Sequence, residues 1–152
     1  MHRLLLLLVP AALIAADPAG FALWKSADLK SQEKKLSPKI DAQKVATEQL
    51  GKFDNTLFSI GHREGSGQSE LHEKVVDIFV VESGAATLVV GGKIVGGKST
   101  GPGEVRGSKT DGGTSHALAP GDVVRIPANT AHQLLLDAGK QFTYFVVKVD
   151  VK

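Results

Sequence analysis

The stretch Glu70-Leu71-His72-Glu73-Lys74-Val75-Val76-Asp77-Ile78-Phe79-Val80-Val81-Glu82-Ser83-Gly84 decides how this chain is read. Its β-branched and aromatic residues, closed by Ser83-Gly84, spell a strand, and on a strand Glu70 and His72 point to the same face because side chains alternate. Asp77 follows, sharing its own face with Phe79 and Val81, so three side chains able to hold a metal converge on one segment. A fourth, His132, closes the run from Gly121 through Pro127 and Asn129.

Working outward, short β-branched segments broken by Gly, Pro, Asn or Asp recur at Val76 to Val81, Ala85 to Val90, Val123 to Ile126, His132 to Leu136 and Phe142 to Val149. That punctuation predicts an antiparallel sandwich or barrel and an all-β fold. If Asp77, Phe79 and Val81 on one strand and His132, Leu134 and Leu136 on another face inward, a carboxylate and an imidazole enter an otherwise apolar lumen. Upstream, Val45 to Phe53 and Thr56 to Arg63 flank Asp54-Asn55 and predict a hairpin, with Phe58, Ile60 and His62 on one face. Before it, Leu29 and Leu36 in a Lys-rich polar stretch permit a short surface helix capped by Ser26. Between Gly91 and Gly113 lie nine of the chain's 17 glycines, which reads as a long excursion between strands with Glu104, Arg106, Lys109 and His116 as its reachable polar groups. Within it Gly92-x4-Gly97-Lys98-Ser99 spells a phosphate loop, but Thr100-Gly101-Pro102-Gly103 follows where a helix is needed.

At 152 residues the chain is one ordinary domain, and 42% hydrophobic content with a single Trp and a single Tyr implies an aliphatic core. A net charge of +2 without a basic stripe argues against nucleic acid and against an acidic membrane surface. Arg3, the apolar run Leu4 to Ala16 and its small-residue end before Asp17 read as a secretory signal peptide, too short for a span of about 20 residues. The expected organisation is therefore a signal peptide at 1–16, a lead-in with the first strand at 17–52, and a barrel at 53–150, exported to the periplasm or medium. There is no cysteine, so disulfides, a catalytic thiol and thiolate zinc sites are excluded. No Gly-x-Ser-x-Gly stands on a strand-to-helix turn either.

Two motifs then carry a resemblance. Glu70-x-His72-x4-Asp77-x6-Gly84 and Gly121-x5-Pro127-x-Asn129-x2-His132 resemble the paired motifs of the cupins, G-x5-H-x-H-x3,4-E-x6-G and G-x5-P-x-G-x2-H-x3-N, over roughly Thr56 to Val149. Glu70 stands at the family's first histidine, Asp77 at its glutamate, Asn129 at a glycine and Leu136 at the last asparagine; Gly65 lies one residue off register. Asn tolerates a positive φ, so the turn geometry can survive.

The resemblance implies a double-stranded β-helix, or jelly-roll barrel, with Glu70, His72, Asp77 and His132 closing on one divalent ion. Two imidazoles with two carboxylates would favour Mn, Fe or Zn over copper. The alternative is that Glu70 and Asp77 pair with Lys74 or Arg125 and that the histidines are ordinary barrel residues. His62 is a further candidate for a supporting role at the metal, and His116 a weaker one. The expected partners are a small-molecule substrate or ligand and, by self-association, a homodimer; nucleic acid is not expected, nor a membrane after leader removal. Enzyme and non-catalytic binding module both remain open, because the fold carries many chemistries.

Overall fold

The computed structural model describes residues 16–152; apart from Ala16, the leader predicted over 1–16 lies outside the described residues. The chain runs through helix α1 (Ser26–Leu36), a 3₁₀ turn (Ser37–Lys39) and thirteen strands. These are β1 (Val45–Phe53), β2 (Thr56–Arg63), β3 (Ser69–His72), β4 (Val75–Gly84), β5 (Ala86–Val90), β6 (Lys93–Val95), β7 (Lys98–Gly101), β8 (Glu104–Gly107), β9 (Lys109–Asp111), β10 (Thr114–Leu118), β11 (Val123–Ile126), β12 (His132–Leu135) and β13 (Phe142–Asp150). A five-stranded sheet, β1-β2-β13-β4-β11, packs against a six-stranded one, β10-β5-β12-β3-β8-β7, with β6 and β9 as a separate ribbon. Every pairing is antiparallel. Among the described residues no helix is long and apolar enough to cross a membrane.

Alternation along the strands fills the space between the sheets. Phe79, Val81, Ile126, Phe142, Tyr144 and Val146 from one sheet meet Leu88, Leu118 and Leu134 from the other in a single buried cluster. Phe142 and Ile126 are essentially fully buried, each worth about 1.5–3 kcal/mol of transfer free energy. Along β13 the even-numbered residues from Phe142 to Lys148 face inward, and the odd-numbered ones face outward. β2 obeys the same rule: Ser59, Gly61 and Arg63 line the lumen, whereas Ile60 packs outside against Leu36 and Ala46.

That outer face is covered by the N-terminal segment. Trp24 packs in tilted geometry 4.8 Å from Phe58 and 5.7 Å from Phe145, and Leu29, Leu36 and Ile40 join Ala46 and Ile60 in a second core. The lead-in is thus a lid on the five-stranded sheet, and β1 within it is an integral strand of that sheet. The predicted hairpin forms, with Asp54 at φ 47° in its turn. Ser26 is not the cap: Lys25 takes that position without a side-chain hydrogen bond, and Ser26 is the first helical residue.

The stretch from Gly91 to Gly113 departs from its reading as an excursion. It holds four short strands, β6 to β9, two of which extend the six-stranded sheet. Gly92, Gly107 and Gly113 mark close approaches: a Cβ on Gly107 would lie 2.3 Å from Ile94 Cγ2 and 2.5 Å from the Val95 carbonyl oxygen.

Candidate metal centre and ligand cavity

Register, more than sequence proximity, builds the site. Directly opposed residues on antiparallel strands share a face with Cβ atoms about 4.5–5.5 Å apart. β12 sets His132 opposite Glu70, β8 sets Arg106 opposite Glu70 and Glu104 opposite His72, and β13 sets Lys148 opposite Asp77. The two halves are also tied through the backbone, where the Asn129 N–H donates to the His72 carbonyl at 2.7 Å. Asn129 holds φ 57°, filling the positive-φ role of the glycine it replaces.

The ligand atoms of Glu70, His72 and His132 lie within 4.8 Å of one another, with both histidines buried. His72 Nδ1 is 2.6 Å from Glu104 Oε2, which as a carboxylate accepts, so Nδ1 carries the proton. His132 Nδ1 donates to the Thr130 carbonyl at 3.0 Å. Both Nε2 atoms are thereby turned toward the lumen. Asp77 sits against both, its Oδ2 3.2 Å from His72 Nε2 and 3.5 Å from His132 Nε2.

Both carboxylates have cationic partners. Lys148 Nζ donates to Asp77 Oδ1 at 2.8 Å and reaches His72 Nε2 at 3.0 Å. Glu70 is held from its other side, by Arg106 Nη1 at 2.6 Å and Arg63 Nη2 at 3.5 Å. The partners expected from sequence, Lys74 and Arg125, are therefore not the ones used. His62 does not join the group: it lies on the outer face of β2, bonded to Thr143 Oγ1 at 2.9 Å and Glu64 Oε1 at 3.4 Å. His116 is exposed on β10, opposite Leu88 on β5.

Burial alone would push the Asp77 carboxyl up. Hydrogen bonds from His132 and His72 and the Lys148 ammonium outweigh it and hold the group well below the usual carboxylate range. For His72, burial disfavours the imidazolium, but its hydrogen bond to Asp77 prevails over burial and Lys148, and Glu104 adds to it, so its pKa is raised. A carboxyl whose folded pKa is depressed lends stability at pH values above its unfolded pKa, about 4, and that contribution disappears as pH falls. In chelator, the urea midpoint of the parent is therefore expected to fall between pH 7 and pH 3 by more than that of Asp77→Asn. Equal slopes would remove Asp77 from the acid response.

A cavity of about 240 Å3 opens onto Glu70, Asp77, His132 and Lys148, with Phe79, Leu134 and Val146 also lining it. Arg63, Glu70 and Arg106 also line a second cavity of about 300 Å3 toward Lys44 and Gln68, and so form the partition between the two. A larger hollow, about 630 Å3, lies at the far end of β4 beside Gly84 and Asp137 and includes no histidine. Chemistry concentrates in the smaller space.

The fold is the cupin-type double-stranded β-helix. The TT1209 protein of Thermus thermophilus superposes with a TM-score of 0.55 at 16% identity, over 78% of this chain and 94% of that one. A protein with a double-stranded β-helix domain from Klebsiella pneumoniae gives 0.53 at 14%, over 72% and 80%. A cupin-like protein from Thermotoga maritima gives 0.50 at 18%, over 69% and 68%. No protein-family model matches the chain, and no curated protein matches it in sequence. A structural likeness at such identities speaks for the fold and leaves activity to be argued from the site.

The donor set fits a divalent ion. Two imidazoles and one carboxylate with open positions form a recognised set for Fe(II) and its neighbours. Imidazoles that ligate a metal characteristically donate their other ring N–H to a carboxylate or a carbonyl, as His72 and His132 do here. The residues missed by sequence reasoning as partners of this set are Arg63, Tyr144 and Lys148; Glu104 and Arg106 were noted only as loop groups.

Proposed function

We propose that this is an exported barrel whose lumen binds one divalent ion, Mn, Fe or Zn, through Glu70, His72 and His132, with Asp77 as the adjoining carboxylate, and presents it to a small molecule. The observation that carries this reading is the orientation of the imidazoles: each Nδ1 faces a fixed acceptor, which directs each Nε2 toward the Glu70 side of the lumen, where the charged ring donates to Asp77 and the neutral ring has a lone pair for an ion. A bound ion would supply Lewis-acid polarisation of an oxygen on the bound molecule. The chain's own groups would do the rest. Glu104 and Thr130 orient the rings, Arg63 and Arg106 hold Glu70 in place, and the lining of Phe79, Leu134 and Val146 excludes water. Export rests on the leader-like residues 1–16.

A second reading, a metal-free binding module for a small ligand, is favoured by Lys148, whose ammonium already lies within hydrogen-bond reach of Asp77 and His72. Elemental analysis of the purified protein beside a His72→Ala, His132→Ala double variant separates the two. Near one equivalent of metal in the parent and a trace in the variant, with both folded by circular dichroism, is the expected result. Equal traces in both would sink the metal reading.

A further inference from the structure

We infer that the small molecule taken by this lumen is an organic carboxylate, gripped at the partition by the guanidinium groups of Arg63 and Arg106 with its apolar part over Phe79, Leu134 and Val146. This rests on the reading of the lumen as a ligand site.

Charge carries the argument first. Three cationic side chains, Arg63, Arg106 and Lys148, share the cavity with two carboxylates, Glu70 and Asp77. The excess is positive before any ion enters, and a divalent ion would enlarge it. In a confined lumen such an excess is screened far less than in water. Arg63 and Glu70 have side chains only 10% and 15% exposed, so solvent does little of that screening. An anion entering the cavity relieves the imbalance, whereas a neutral or cationic molecule leaves it or worsens it.

Donor geometry carries it next. Arg63 spends Nε on the Tyr144 hydroxyl at 3.1 Å and a long 3.5 Å contact from Nη2 on Glu70. Arg106 engages Glu70 Oε1 through Nη1 alone. No hydrogen bond among the described residues uses Arg63 Nη1, or Nε and Nη2 of Arg106. A guanidinium has five N–H donors in a planar fork matched to two carboxylate oxygens, so donors remain at the wall that both cavities share. Glu70 itself shows that this wall accommodates a carboxylate. Gly61 keeps the Tyr144 support in place, because a Cβ there would lie 3.0 Å from the tyrosine ring.

Size and lining complete the class. The cavity of about 240 Å3 corresponds to roughly eight waters at ~30 Å3 each, which suits a small acid with a short aliphatic or single-ring body.

The test is calorimetric titration of the purified protein with acetate, butyrate and benzoate, each beside its neutral amide, and with inorganic phosphate. Titrations are run in chelator and again after addition of Mn(II). At least one acid is expected to bind tenfold or more tightly than its amide. In Arg106→Gln that acid-to-amide ratio should fall to within threefold of unity while the melting temperature stays near the parent's, and Arg106→Lys should recover part of it. No acid binding better than its amide would overturn the inference. So would a ratio that survives in both Arg106→Gln and Arg63→Gln, or phosphate binding more tightly than every acid. One equivalent of metal with no preference for acids leaves the metal reading standing and removes this inference. A preference for acids with no metal bound does the reverse.

Discussion

Lys148→Met is expected to bind Mn(II) at least tenfold more tightly than the parent while its metal-free form becomes less stable. The Lys148 ammonium lies 3.0 Å from His72 Nε2 and 2.8 Å from Asp77 Oδ1, where an incoming ion would meet like charge. Two unit charges 4 Å apart interact by about 4 kcal/mol at an effective dielectric constant of 20, and a divalent ion doubles that. Swinging Lys148 toward solvent relieves most of the repulsion, since its side chain is 31% exposed. A residual ~1.4 kcal/mol is enough for tenfold. In the metal-free protein the same substitution strands Asp77, whose side chain is only 2% exposed, without its cation. Breaking a fully buried pair costs about 3–5 kcal/mol, and the partial exposure of Lys148 brings the expected loss to roughly 2–3 kcal/mol. Titration calorimetry and melting in chelator read the two effects separately. Unchanged affinity would place Lys148 off the ion's path.

Gly84→Ala is expected to cost about 3–4 kcal/mol, a large fraction of a domain's stability. Gly84 ends β4 at φ +78°, where an L side chain loses about 1–2 kcal/mol. A Cβ would also lie 1.9 Å from the Gln141 carbonyl oxygen, a backbone atom that cannot rotate away, so the start of β13 would have to shift. Gly139, at φ +75° with nothing within 4 Å of its Cβ position, is the comparison: Gly139→Ala should show the conformational part alone, about 1 kcal/mol. Chemical denaturation of the two variants measures the difference, and equal losses would show that the contact with Gln141 is not what makes Gly84 necessary.

The contrast between what was legible in the sequence and what was not follows from how each group is placed. His72 and His132 sit at the spacings from Gly84, Pro127 and Asn129 that carry the resemblance to the cupin motifs, and it is that resemblance that implies their convergence. The alternation Asp77-Phe79-Val81 likewise follows from the strand period. The counter-ions could not be read this way. Lys148 meets Asp77 through register between β13 and β4, which depends on irregularities such as the break beside Tyr144, and Arg63 meets Glu70 across the space between the two sheets. A one-residue slip would turn Lys148 outward. Glu104 and Arg106 were obscured differently: strands of three or four residues are too short to display a period, and glycines such as Gly92, Gly107 and Gly113 look like loop when they mark close backbone approaches. His62 was misplaced because a histidine on an apolar strand face can belong to either side of a sheet covered on both.

The ribbon-and-edge region from Lys93 to Asp111 therefore has a kinetic meaning beyond its architecture. It brings both Glu104, which fixes the proton on His72, and Arg106, which clamps Glu70. Edge segments of this kind open more readily than central strands. β7 is that edge and β8, which carries both residues, lies one strand in, so an opening that reached β8 would unlatch a ring orientation and a carboxylate together.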